Sequence, residues 1–147
     1  MNNKQLNILR STYLVALMTA IVLIIIFEVG LLPIGTRAYD SMSNYTCEMI
    51  GVFLTIICIP VALKLMSFGW IKRQLSIQPD KYFTLSIVRI SLLTVPLLYD
   101  TIFYYLLGED ATLGYLALMD VIAFLFIWPS QGKMEYELEN ANKQQEK

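Results

Sequence analysis

Hydrophobic positions along this chain come in four long runs, not in the narrow apolar stripes of a soluble helix. From Tyr13 to Phe27 no residue is charged, and past Glu28 the apolar character continues to Leu32. A bilayer core of about 30 Å takes roughly 20 helical residues at 1.5 Å each, so residues 12–32 are long enough to cross. Met49 to Leu63 is a second uncharged run. Its flanks Glu48 and Lys64 can reach toward the interfaces, which extends it to about 47–66. Ile90 to Leu107 carries only Asp100, and Ala111 to Trp128 carries only Asp120.

This pattern predicts an all-α protein, an integral membrane four-transmembrane-helix bundle. A single membrane domain of residues 1–147 is expected, with spans at 12–32, 47–66, 83–107 and 111–128 and a cytoplasmic tail at 129–147. The connectors "PIGTRAYDSMSNYT", "SFGWIKRQLSIQPDKY" and "GED" are short, which favours antiparallel neighbours. Lys4 and Arg10 give a basic start, yet the first run is longer than a signal core and no small-x-small site follows it promptly. A retained anchor is expected over a cleaved signal.

Charge sets the orientation. Lys4 and Arg10 precede the first run; Lys64, Lys72, Arg73, Lys81 and Arg89 lie in or beside the middle connector; Lys133, Lys143 and Lys147 follow the last run. Only Arg37 of the 11 basic residues falls on the other side. Basic residues mark cytoplasmic loops, so both termini are expected in the cytoplasm, and a dual-topology protein is disfavoured. Trp70 and Trp128 then fall at the cytoplasmic boundary, and Tyr39, Tyr45, Tyr104, Tyr105 and Tyr115 near the outer one. Asp40, Glu48, Glu109 and Asp110 line the outer side, with Glu28 just inside it. They either attract cations weakly or simply occupy the side from which basic residues are excluded.

The remaining composition narrows the chemistry. Cys47 and Cys58 are eleven residues apart on one helix, about 16 Å along its axis, too far to bridge. There is no histidine and no cysteine cluster, so neither a zinc nor a haem site is expected, and no cofactor is predicted. "NYT" at Asn44 matches a glycosylation acceptor, which matters only in a eukaryotic secretory pathway. No nucleic-acid partner is indicated.

The chemically distinctive residues are the two intramembrane carboxylates. Tyr82, Arg89, Pro96, Asp100 and Tyr104 share one face of the third run, which should turn into the bundle, with Arg89 snorkelling to the interface. Asp100 lies about 10 Å below Leu107 and Asp120 about 13 Å below Ala111, so the two reach similar depth on adjacent helices. If they meet, a shared proton is expected. Each costs about 3 kcal/mol near mid-membrane. Interhelical hydrogen bonding to Tyr, Thr or Ser offsets that cost in one account; a proton or cation site exploits it in the other. The candidate buried polar site is therefore Asp100, Asp120, Tyr104, Glu48 and Glu28.

Small residues at three-four spacing, Gly51, Thr55, Cys58 and Ala62 after Glu48, predict a packing stripe on the second run, and Pro60 beside it a kink. Thr12, Ala16 and Thr19 start a similar stripe on the first. In the middle connector Phe68, Ile71 and Leu75 share one face, as in a helix lying on the membrane surface, where Lys72 and Arg73 would attract anionic headgroups. The tail "MEYELENANKQQEK" is polar, with Glu139 and Lys143 at helix-pair spacing. It reads as a short helix, as a docking tail for a membrane or cytoplasmic partner, or as a solvated end.

Three function classes follow. The preferred one is a non-enzymatic structural or regulatory component acting through a partner. The alternative is a proton- or cation-linked small transporter using the carboxylates, which no inverted repeat supports. A remote third is an intramembrane aspartyl protease: "LYD" ending at Asp100 resembles the first element of those enzymes, but "ALMD" before Asp120 lacks the glycines of the second.

The segments "MIGVFLTIICIPVALKL", "SIVRISLLTVPLLYD" and "IAFLFIWPSQGKMEYELE" resemble small four-span inner-membrane proteins of Bacteroides-type bacteria, over roughly Tyr39 to Glu139. The resemblance implies a bacterial inner membrane and four spans. It supplies no substrate and no catalytic residue.

The charge bias makes a direct prediction. A phosphatase reporter active only outside the cytoplasm should be active when inserted after Gly108 and inactive when fused after Lys147. The opposite pattern would invert the topology.

Overall fold

The computed structural model describes residues 3–35, 41–78 and 81–143, and every regular element among them is helical. Helix α1 spans Asn3–Glu28, α2 Ser41–Lys64, α3 Gly69–Ile77, α4 Lys81–Leu106, α5 Ala111–Phe126 and α6 Gln131–Lys143, with a short 3-10 turn at Leu65–Ser67. Arg37, Tyr39, Asp40 and Lys147, which figure in the orientation argument, lie outside the described residues.

Three helices, α1, α2 and α4, are long and apolar enough to cross a membrane. A fourth crossing requires counting α5 and α6 together, although they bend by 79° at the break between them. Alone, α5 has 16 residues, about 24 Å, short of a full hydrocarbon core. It stops at Phe126, earlier than the apolar pattern suggests, because Pro129 has no N–H to continue the ladder. The Lys133 ammonium reaches back to the Phe126 carbonyl.

The first helix also ends early, at Glu28 instead of Leu32. Gly30 takes φ 76°, its N–H donates to the Phe27 carbonyl at 2.9 Å, and the Leu31 N–H donates to Ile26 at 3.1 Å. That pair of bonds is a Schellman C-cap, which a glycine in the left-handed region makes cheap. The same motif closes α4. Gly108 (φ 85°) donates to Tyr105, and Glu109 donates to Tyr104 at 2.8 Å. Asp110 then caps α5, its carboxylate accepting from the N–H groups of Thr112 and Leu113. The "GED" turn is thus a C-cap and an N-cap joined directly.

Helix α4 is central and packs against α1, α2 and α5, while α2 also meets α5. The core joins Leu9, Tyr13, Ala16 and Ala20 of α1 to Ala62 of α2, Leu93 and Leu97 of α4, and Ala123 and Phe124 of α5. The buried face of α1 is therefore the Leu9–Tyr13–Ala16–Ala20 line. Thr19 is exposed and its hydroxyl donates to the Val15 carbonyl. The stripe on α2 faces inward, with Gly51, Thr55, Cys58 and Ala62 buried, and α2 runs through Pro60 as one helix. The outer surface is rich in exposed apolar side chains, among them Val15, Ile25, Phe53, Ile57, Val95 and Leu125. Buried polar groups with an apolar exterior are what a hydrocarbon solvent selects.

At one end of the bundle α3 and α6 pack on each other. Ile71 and Leu75 are buried with Leu65, Met66 and Tyr82, and Met134 and Leu138 of α6 cover them. Phe68 stands outside this contact and is half exposed. The tail from Gln131 is accordingly a docked helix and not a solvated end. Its Glu137 accepts from Tyr82 Oη at 2.8 Å and from Arg89 Nη1 at 3.2 Å, and Arg89 Nη2 donates to the Leu63 carbonyl at the end of α2. The Arg89 guanidinium is held inside the protein. Its partner comes to it, so its side chain is only 6% exposed. The Glu139–Lys143 pair forms on the open face of α6.

Removing one member of a buried ion pair strands the other. Arg89→Ala or Glu137→Ala should each destabilise the protein by about 3 kcal/mol, and the Arg89→Met/Glu137→Leu double variant should recover most of that. Thermal unfolding of the detergent-purified proteins measures it; single variants as stable as the parent would show that the latch contributes nothing.

Candidate functional site

The two intramembrane carboxylates are brought together at full burial, each with 0% of its surface exposed. Asp100 comes from the last third of α4 and Asp120 from the middle of α5. Joining the helices through the compact "GED" turn fixes their relative depth. Their carboxyl groups adjoin, and the Cys58 thiol of α2 lies near Asp120.

A third helix completes the arrangement. Thr55 Oγ1 on α2 donates to Asp100 Oδ2 at 2.8 Å, with the threonine itself 1% exposed. Asp100 Oδ1 and both oxygens of Asp120 accept from no donor among the described residues. As two bare carboxylates neither residue can donate to the other. One proton on the pair converts an orphaned oxygen into a donor facing an acceptor and removes the like-charge repulsion as well.

Close approach of α2 makes the site possible. A methyl group at Gly51 would stand 2.7 Å from Asp100 Oδ1 and 2.8 Å from Leu113 Cδ2, inside any ordinary contact. Tyr99, next in sequence to Asp100, donates from its hydroxyl to the Cys47 carbonyl at 3.1 Å and stacks on Phe103, adding a second tie between α4 and α2.

The other three predicted site residues lie elsewhere. Tyr104 does not cap the carboxylates. It packs against Gly114 of α5 and meets Tyr105 edge to face. Glu28, at the end of α1, accepts from the Tyr105 hydroxyl at 2.9 Å, and the Tyr105 ring stacks on Phe27 at 4.7 Å. Glu48 lies beside Asp110, the cap of α5. Glu28, Glu48 and Tyr104 thus belong to the end of the bundle near the α4–α5 turn, and only Asp100 and Asp120 form the buried centre. Thr55 is the partner that sequence reasoning assigned to packing alone. Its place four residues after Gly51 on the small stripe was the available signal.

A groove of about 730 Å³ opens between α1 and α5, and neither carboxylate lines it. Among the described residues no three His, Cys, Asp or Glu side chains come together as a metal-binding group. No family model matches the chain, and no curated protein or solved structure matches it either.

Two substitutions probe this centre. Thr55→Val leaves Asp100 Oδ2 without its donor and should cost about 2 kcal/mol, and Gly51→Ala should cost about 1–3 kcal/mol by forcing α2 away. Unfolding in detergent reads both. An unaffected Gly51→Ala protein would contradict the close approach of α2 to Asp100.

Proposed function

We propose that the chain is a four-span integral protein of the bacterial inner membrane with both termini in the cytoplasm, in which α5 crosses despite its length and α6 lies at the cytoplasmic face. In this reading it is a non-enzymatic structural or regulatory component that works through a partner. The observation that carries it is the enclosure of Asp100 and Asp120: the pair ties α2, α4 and α5 together inside a closed interface, with Thr55 supplying a donor. A carboxyl pair used as interhelical glue needs no path to either face, whereas transport and hydrolysis both need one.

The handle for a partner is the open face of α6. Glu135, Tyr136 and Glu139 are exposed there, while Met134, Glu137 and Leu138 face the bundle. An exposed tyrosine flanked by carboxylates at the end of a docked helix is a reasonable contact point for a basic partner surface.

The proton-linked transporter remains the second reading, favoured by the unpartnered oxygens of Asp120. A carboxyl group lacking fixed donors is the kind that can gain and lose a proton.

Asn variants separate the two, because an amide keeps the hydrogen-bonding capacity of a protonated acid and loses the titration. Proteoliposomes carrying the protein are expected to show no dissipation of an imposed pH gradient beyond protein-free vesicles, and Asp120→Asn is expected to fold normally. Gradient dissipation by the parent that disappears in Asp120→Asn would replace the structural reading with the transport one. A photo-crosslinker at Tyr136 should trap a discrete partner in membranes, and one at Met134, which faces the bundle, should not.

A further inference from the structure

The groove between α1 and α5 has a chemistry of its own. The two helices meet near one end, where Tyr13 Oη donates to the Phe124 carbonyl at 2.9 Å and the Tyr13 ring contacts Phe124 and Trp128. Toward the α4–α5 turn they part, and α4 forms the floor. Along the floor the groove runs from Leu97 to Tyr105, and along α5 from Ala111 to Val121. At 1.5 Å per residue those lengths are about 12 and 15 Å, half the thickness of a bilayer core and therefore one leaflet.

Its polarity is graded. The deep end is lined by Leu17, Leu97 and Val121. Thr101 also lines it, and its hydroxyl donates its hydrogen to the Leu97 carbonyl at 2.7 Å. The mouth carries Tyr104, Tyr105 and Tyr115 together with Glu109. Glu28 adds a second carboxylate through its bond to Tyr105. Among the described residues no basic side chain lines the groove.

A spanning helix of a partner or of a second copy would need contact along about 30 Å and an apolar surface throughout. A half-depth groove with an apolar floor and an anionic, hydroxyl-bearing mouth fits an amphiphile instead. We infer that this groove is a binding site for one acyl chain of a glycerophospholipid whose headgroup carries a primary ammonium, with the chain between α1 and α5 and the ammonium at Glu109. The volume is that of a site for one small ligand. An ammonium donating to a carboxylate at the membrane boundary forms an ion pair as well as a hydrogen bond, and the uncharged hydroxyls of a glycerol headgroup supply only the hydrogen bond. The inference rests on the membrane reading above, and it can fail while that reading stands.

The test is native mass spectrometry of the full chain, released from detergent micelles doped with ethanolamine- or glycerol-headed phospholipid of identical chains. The parent should retain one ethanolamine lipid and prefer it over the glycerol lipid by about tenfold. Ala117→Phe fills the groove from α5 and should reduce retention of both lipids about tenfold, with helical circular dichroism unchanged. Should that variant misfold, Leu118→Trp at the exposed rim replaces it. Glu109→Gln should keep chain binding and abolish the headgroup preference. No retention, equal retention of the two lipids by the parent, or retention indifferent to groove filling would each overturn the site. So would cysteine crosslinking at Leu118 that joins two copies in lipid-saturated membranes. If the topology reporters still show a spanning protein in any of those cases, only the lipid site is lost.

Discussion

The carboxyl group of Asp100 sits at full burial on α4, which packs along α1, α2 and α5. With no water to solvate it, protein groups must do so, and the arrangement of α2 and α5 around α4 meets that requirement. Thr55 supplies a donor from α2, Asp120 lies alongside from α5, and Gly51 gives up a side chain so that α2 comes near enough. Polar groups in hydrocarbon cost several kcal/mol when left alone. The position of one carboxylate therefore constrains the spacing of three helices more tightly than apolar packing would, since leucines tolerate small shifts and a hydrogen bond does not.

The same logic operates at the α3–α6 end with opposite charge. Arg89 is drawn out of solvent by two acceptors, Glu137 and the Leu63 carbonyl. Its guanidinium suits this role because several donors leave one planar group in different directions. The result couples α2, α4 and α6 at a single residue, so the amphipathic α3–α6 pair is held to the bundle by an ion pair as well as by the Leu75 and Met134 contacts. Two buried polar clusters, one acidic and central, one basic and terminal, thus carry the specificity that a featureless apolar core lacks.

Those clusters also divide the molecule by accessibility. The carboxylate pair is closed on every side, whereas the groove between α1 and α5 opens outward and shows the surroundings only aliphatic and aromatic surface until its mouth. The separation follows from α1 resting on α4 without closing along α5, which leaves the groove between them.

The amino-acid sequence by itself determined the class of protein and the depth of its two acids. Uncharged runs of bilayer length, basic residues gathered at the chain ends and in the middle connector, and single aspartates in the third and fourth runs are one-dimensional facts. Hydrophobic solvation and helical rise translate such facts into a membrane protein with two carboxylates at one level. Rotation about each helix axis is not one-dimensional, and only the tertiary structure decided it. That is why Tyr104, on the expected face, turned toward Gly114 while Tyr105 took the bond to Glu28, and why Thr55, read as a packing residue, became the donor to Asp100. The reach of α6 back to Arg89 was equally hidden, because a polar tail gains a partner only once α3 has presented it with an apolar seat. Helix ends were half legible: the glycines at 30 and 108 were visible, but their left-handed caps form only when no packing draws the helix further. Depth follows from counting residues; contact depends on which side chains the neighbouring helices bring to the same place.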